Sequence, residues 1–247
     1  MTPPILEVSG LGIAFGGLRA VDDLSFRAER NAVTTIIGPN GAGKSTVFNL
    51  ISGALSPRAG KVTFDGRDCT GAPPHRMRTL GLGRSFQITS LFPDLTVFEN
   101  LRLASEVLEP RSRWLLPVSR SPIALARADA LLSRFALTGR ADELAGALSH
   151  GEQRRLEVAM AIAAEPKLLL LDEPTQGMSH GDTEETAELI RSLAADLSVL
   201  LIEHDIGLVM TISDHVVVMH QGRKLAEGAP AAVRADPAVQ AAYFGHA

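Results

Sequence analysis

The chain has 247 residues, 45% of them hydrophobic and 21% charged, and carries a formal net charge of −4. That is ample for the core of one large domain, or of a domain with a subdomain, while the mild acidity leaves no electrostatic footprint for nucleic acid. The single cysteine, Cys69, excludes an internal disulfide framework and a cysteine zinc site, and no secretory leader or apolar run of the roughly 18 residues that span a bilayer is found, so a soluble, cytoplasmic globular protein is expected.

From Ile5 to about Phe26 apolar and polar residues partly alternate and glycines interrupt, which predicts antiparallel strands. Ala32-Val33-Thr34-Thr35-Ile36-Ile37 is a β-branched run that reads as a buried strand. A further strand, Lys61-Val62-Thr63-Phe64, ends at the turn Asp65-Gly66 and leads to a Gly/Pro-rich loop at 71–74. After Gln87 the pattern turns helical: 95–108 and 124–135 have helical spacing, separated by a Pro/Ser/Arg-rich segment at 109–122. In that segment Arg111, Arg113 and Arg120 surround Trp114-Leu115-Leu116, which we read as a solvated loop that tucks in its tryptophan. From Lys167 strands alternate with helices: a strand at 168–171, a helix from about Thr183 to Ala195, a strand at 198–202, a short helix and a strand at 216–219. This predicts a parallel sheet. Pro230 and Pro237 mark two helix starts in the tail.

Three stretches carry chemistry. Gly38-Pro39-Asn40-Gly41-Ala42-Gly43-Lys44-Ser45-Thr46 fits G-x-x-x-x-G-K-[ST] in the strand-to-helix context that a phosphate loop requires. Its glycines let several amides turn inward, and the helix that follows adds its positive end to the same hollow. Lys44 would meet the β- and γ-phosphates, and the Ser45 hydroxyl would ligate the accompanying Mg²⁺. Second, Leu168-Leu169-Leu170-Leu171 ends abruptly in Asp172-Glu173, two carboxylates at the carboxyl end of a buried strand. Asp172 would hold Mg²⁺, leaving Glu173 to polarise an attacking water. Third, Ser149 and Glu152 have capping-box spacing ahead of the helical stretch 154–164, where Ser149 and the Gly151 amide could form a second phosphate-binding surface.

With Leu148-Ser149-His150-Gly151-Glu152-Gln153 similar to an L-S-G-G-Q signature, in order between two Walker-type motifs, the chain resembles the nucleotide-binding subunits of ATP-binding-cassette (ABC) transporters. The resemblance implies an α/β fold: a phosphate-loop ATPase core with a mostly parallel sheet, an N-terminal antiparallel β subdomain and an inserted helical subdomain at approximately 88–164. It also implies helices at approximately 229–247 within a single domain, 1–247. ATP and Mg²⁺ are the implied cofactors. It further implies that Ser149 and Gly151 contact, in trans, the ATP held by a second ATPase subunit in a head-to-tail dimer. Phe15 falls where the family stacks an aromatic ring on adenine, although composition alone favours a core phenylalanine. Gln87 falls at the Q-loop, which contacts Mg²⁺ or the water, and His204 matches the switch histidine. Two departures stand out: His150 replaces the first signature glycine, and Ser179 stands where many members have an aspartate.

Within the family the chain is most similar to the polar amino-acid or branched-chain amino-acid importers, and of these the branched-chain type is preferred. That likeness rests on Phe86-Gln87, 95–101, Leu201-Ile202-Glu203-His204-Asp205, Val209-Met210 and the ending Ala242-Tyr243-Phe244-Gly245. Urea or amide importers and the lipopolysaccharide exporter share much of the pattern. The implied partners are the second ATPase subunit, integral permease subunits and a substrate-binding protein, with the chain peripheral on the inner face of the membrane. A non-transport ATPase acting on nucleic acid is the rival, but such ATPases usually carry long coiled coils, zinc insertions or two cassettes, none of which fits this sequence.

Overall fold

The computed structural model describes residues 3–85, 91–110 and 121–244. They fall into two compact units: one runs to Leu82 and adds Lys167–Glu173 and the chain from Ala187 on, and the other comprises Gly83–Pro166 and Pro174–Thr186.

In the first unit β1 (Leu6–Phe15) and β2 (Leu18–Ala28) form a hairpin whose connection is Gly16-Gly17. The deep strand β3 (Val33–Ile37) follows, then α1 (Lys44–Ile51). β4 (Ala59–Phe64) returns antiparallel to β1, and a two-residue turn joins it to β5 (Arg67–Asp68). Asp65 and Gly66 both have positive φ, 49° and 75°, the pair of values a tight hairpin of the strands' own twist needs. The small sheet has the order β2-β1-β4-β5. Next come α2 (Pro74–Leu80), which sequence patterning did not anticipate, and the short strand β6 (Leu82–Arg84).

The second unit contains α3 (Val97–Ser105), α4 (Pro122–Arg134) and α5 (His150–Ile162). Thr96 and Glu99 close a capping box at the start of α3. Fully buried Asn100 is satisfied by the Phe92 backbone on both sides of its amide. Gln87 and the segment from Arg111 to Arg120 lie outside the described residues.

Beyond it the chain builds β7 (Leu168–Asp172), α6 (His180–Ala194), β8 (Ser198–Ile202), α7 (Ile206–Ile212), β9 (His215–His220), β10 (Arg223–Gly228), α8 (Pro230–Ala235) and α9 (Pro237–Phe244). The large sheet has the order β10-β9-β3-β8-β7-β6; β3 runs parallel to β8 and β9, β7 runs parallel to β8, and β10 is antiparallel to its neighbour β9. All residues of β3, β7 and β8 are buried, as central parallel strands covered on both faces must be, and this is why they read as unbroken apolar runs.

The two faces of the sheet serve different cores. Ile36, Leu168, Leu170, Leu200, Ile202, Val217 and Met219 pack with Val47, Phe48 and Ile51 of α1 and with the small sheet. Ile37, Val216 and Val218, one residue out of phase, pack with Val209 of α7, Val233 of α8 and Val239 of α9. Each large side chain so buried contributes about 1.5–3 kcal/mol. The consequence for function is that β3, and the loop that leaves it, is clamped from both sides.

Candidate phosphate-binding site

Past Ile37 the backbone folds into the loop foreseen in the sequence. A Cβ on Gly38 would lie 2.3 Å from the Met219 carbonyl oxygen, and one on Gly43 2.3 Å from that of Ala20; Gly43 also has φ 100°. Only glycine fits at either position. Gly43 is the residue before α1 and provides no side-chain cap, and the first turn of α1 holds no acidic residue. Its leading amides are therefore left for an external anion. Asn40, Gly41 and Ser45 are exposed, Pro39, Gly43 and Thr46 are half-buried, and Gly38 and Ala42 are buried.

Lys44 is only 6% exposed, and its Nζ donates to the carbonyls of Gly38 (2.7 Å) and Pro39 (3.2 Å). Burial pushes its pKa down, and the negative charges of Glu173 and Asp172 oppose that shift. The three side chains therefore share one electrostatic neighbourhood. Register explains it: Ile36 of β3 pairs with Ile202, and Ile202 pairs with Asp172, so all three strands end together. The carboxyl edge of a parallel sheet is where ligands of such folds sit.

Asp172 is buried at the end of β7. Glu173 leaves the strand with φ 47°, an unfavourable conformation for a non-glycine residue, while its amide donates to the Ile202 carbonyl at 2.9 Å. At the end of β8, Glu203 is fully buried and accepts the His204 amide at 3.0 Å. The His204 ring is 55% exposed, with Nδ1 3.9 Å from a Glu173 oxygen and 3.7 Å from a Glu203 oxygen. An exposed imidazole thus stands beside a carboxylate of low exposure at the mouth of the loop.

Among the described residues no cluster of three or more His, Cys, Asp or Glu side chains could hold a metal by itself. The oxygen donors at this edge, Asp172 and the Ser45 hydroxyl, instead suit a hard cation that arrives with phosphates and brings most of its own ligands.

Phe15, at the tip of the β1–β2 hairpin, is 48% exposed. The core position that composition favours is not where it lies, because the hairpin ends there and the ring faces solvent. Ser149 and Gly151 belong to the other unit. Ser149 caps α5: its hydroxyl donates to Glu152 at 2.7 Å and accepts the Glu152 amide at 3.3 Å. The hydrogen bonds from Ser149 are the main reason that the Glu152 pKa is lowered. Gly151 is buried, and a Cβ there would come within 2.9 Å of the Asp182 carboxylate. Ser179 bonds Asp182 at 2.7 Å and accepts the amide of Asp182 at 3.3 Å, so the serine does the local capping work an aspartate would do.

The ABC transporter family model matches residues 21–176, from β2 through β7 and its carboxylates. The chain belongs to the ABC transporter ATP-binding family. A second model, described as a branched-chain amino acid ATP-binding cassette transporter, matches residues 223–247 of this cassette. It is 41% identical over 256 residues to the high-affinity branched-chain amino acid transport ATP-binding protein BraF of Pseudomonas aeruginosa, covering 100% of both chains. To LivG of Escherichia coli, of the same description, it is 38% identical over 256 residues, again covering both completely. Among solved structures, the ADP conformation of MJ1267, an ATP-binding cassette of an ABC transporter, superposes with a TM-score of 0.89 at 32% identity, covering 99% of this chain and 100% of that one. The chain is thus a nucleotide-binding, ATP-hydrolysing subunit of an ABC transporter. No described helix is long and apolar enough to cross a membrane.

Sequence reasoning missed Glu203, the buried acid beside His204. It could have been found as the acid that directly follows the apolar run 199–202, a costly placement for a group without a task.

Proposed function

We propose that this chain powers import of branched-chain or closely related amino acids, working as one of a head-to-tail pair of ATPase subunits on integral permease subunits fed by a substrate-binding protein. Full-length similarity to branched-chain transport ATP-binding proteins, extending through the C-terminal helices, is the observation that carries the substrate reading. The chain would be peripheral, on the cytoplasmic face of the membrane, held there by its permeases.

The gathered strand ends support the mechanism. Gly38 to Thr46 cradle the phosphates of ATP with backbone amides, and Lys44 exchanges the Gly38 and Pro39 carbonyls for phosphate oxygens. Ser45, Asp172 and Gln87 would hold Mg²⁺, which would supply charge neutralisation to the phosphates. Glu173 takes a proton from the attacking water as its oxygen bonds to the γ-phosphorus and the bond to the bridging oxygen of ADP breaks. His204, with Nδ1 beside Glu173, holds the water and the γ-phosphate in line, while Glu203 positions His204 through its backbone amide. Phe15 offers its exposed ring to adenine. Ser149 and Gly151 meet the γ-phosphate bound by the second subunit.

The test is purification of the tagged chain from its own membranes with bound proteins identified by mass spectrometry, followed by reconstituted uptake of leucine, isoleucine and valine against urea. Permeases that carry urea and not leucine would overturn the substrate reading without touching the ATPase.

A further inference from the structure

The backbone at Glu173 is held against two local preferences. A non-glycine residue at φ 47° is disfavoured, and the ring of Pro174 pushes the residue before it towards extended backbone. Such a conformation persists only where the surroundings fix it. On its amino side the Glu173 amide donates to the Ile202 carbonyl at 2.9 Å. On its carboxyl side Pro174 is buried and has no amide to donate, so its carbonyl is the one backbone group that can anchor it by a hydrogen bond. Arg154 Nε donates to that carbonyl at 3.1 Å.

Arg154, Glu157 and Pro174 belong to one unit of the fold. Arg154 lies on α5, and its Nη1 donates to Oε2 of Glu157, three residues further along the helix, at 2.6 Å. The two side chains are only 11% and 9% exposed. A guanidinium paired in this way and screened from water keeps one orientation, which a flexible ammonium would not. α5 therefore grips the chain one residue past the general base. A second arginine serves the other end of the helix: Arg127 donates to the carbonyls of Ile162 (2.9 Å) and Ala163 (3.3 Å), which satisfies the last carbonyls of α5.

We propose that Arg154 is a positioning residue for hydrolysis: set by Glu157, it holds the Pro174 carbonyl and thereby keeps Glu173 in the backbone conformation that places its carboxylate 3.9 Å from His204 Nδ1. In this role the guanidinium touches neither water nor phosphate; it acts through the residue that follows the base. Loss of Arg154 lets Glu173 relax towards extended backbone, and a base misplaced by about 1 Å costs up to roughly 10²-fold in rate. Nucleotide affinity, which depends on Gly38 to Thr46, is left as it was.

The inference rests on Glu173 as the base, and the experiment tells the two apart. Arg154→Met together with Glu157→Gln removes the ion pair as a unit, so no unmatched charge stays in the fold. This double variant should lower kcat about ten- to hundred-fold, with KM for ATP and Kd for MgADP within about two-fold of wild type. Arg154→Lys keeps the charge without the fork and should show the same split at about three- to ten-fold, which answers the question even if the double variant does not fold. Arg127→Met should lower the melting temperature and keep wild-type kcat. The decisive readout is the double change placed in a Glu173→Gln background, followed by single-turnover hydrolysis of radiolabelled ATP. A residue that acts through the base has nothing further to lose there, so the residual rate should stay within about two-fold and the ATP-bound dimer should persist. Wild-type kcat in Arg154→Lys and in the double variant, a rise in KM with kcat unchanged, an equal fold-loss in both backgrounds, or loss of the dimer would each overturn the role of Arg154. Wild-type turnover in Glu173→Gln alone would instead remove the base on which the inference rests.

Discussion

Replacing Lys44 by methionine keeps most of the side chain's volume and its apolar stem while removing the ammonium. In the empty protein this deletes two hydrogen bonds, to the carbonyls of Gly38 and Pro39. It also relieves a charge whose burial is unfavourable enough to depress its pKa. Each lost bond costs on the order of 1 kcal/mol, the relieved desolvation offsets part of that, and water can reach a loop whose Asn40, Gly41 and Ser45 are exposed. The net change in stability should be within about 1 kcal/mol, or roughly 2–4 °C in melting temperature. Nucleotide has no such compensation. A charge-assisted contact to phosphate of about 1.5–3 kcal/mol disappears, and Asp172 and Glu173 lose the cation that balances them, so affinity should fall roughly ten- to hundred-fold. Isothermal titration with MgATP at one fixed salt concentration, beside a thermal melt without nucleotide, reads both numbers. Affinity within about two-fold of wild type would refute the assignment of Lys44 to the phosphates. A collapse of the empty protein would show that the lysine is a structural strut.

Glu173→Gln keeps shape and hydrogen bonding but not basicity, so ATP should still bind while turnover drops about 10²–10⁴-fold; wild-type turnover would remove Glu173 as the base. With unhydrolysed ATP that variant should run as a dimer in size-exclusion chromatography with light scattering, and the added change Ser149→Arg should return it to a monomer. Gly43→Ala places a methyl group 2.3 Å from the Ala20 carbonyl at φ 100°, so urea unfolding should show a loss of about 2–5 kcal/mol. Asp65 is held down to about pKa 2 by hydrogen bonds from Lys167 (2.6 Å) and Arg30. Because the folded value lies below the unfolded one, its stabilisation is complete above about pH 4 and is lost as pH falls towards 2. Asp65→Asn, which tolerates the same φ of 49°, should flatten that acid limb at a cost of at most about 1 kcal/mol near neutrality; an unchanged acid limb would exclude the pair.

Much of this site could be read along the chain because the signals are local. The phosphate loop depends on glycine conformation, one lysine and a strand-to-helix order, all within nine consecutive residues, and Asp65-Gly66 and the Ser149–Glu152 box are equally self-contained. The runs at β3, β7 and β8 announced a parallel sheet because strands buried on both faces leave no polar alternation. Sequence patterning could not supply the order in which those strands pair, and that order alone puts Lys44, Asp172, Glu173 and His204 at one edge. Local pattern likewise missed α2 and the edge strand β10, whose residues are largely exposed and carry little periodic contrast. It could not tell that Phe15 ends a hairpin in solvent, or that Glu173 adopts a left-handed backbone. Tyr243 is the extreme case: about 200 residues separate it from Ile37, and only the packing of α9 on the far face of the sheet brings them into one apolar cluster. Chemistry set by adjacent backbone is written in the sequence, whereas chemistry set by the closing of long loops exists only once the two cores have formed.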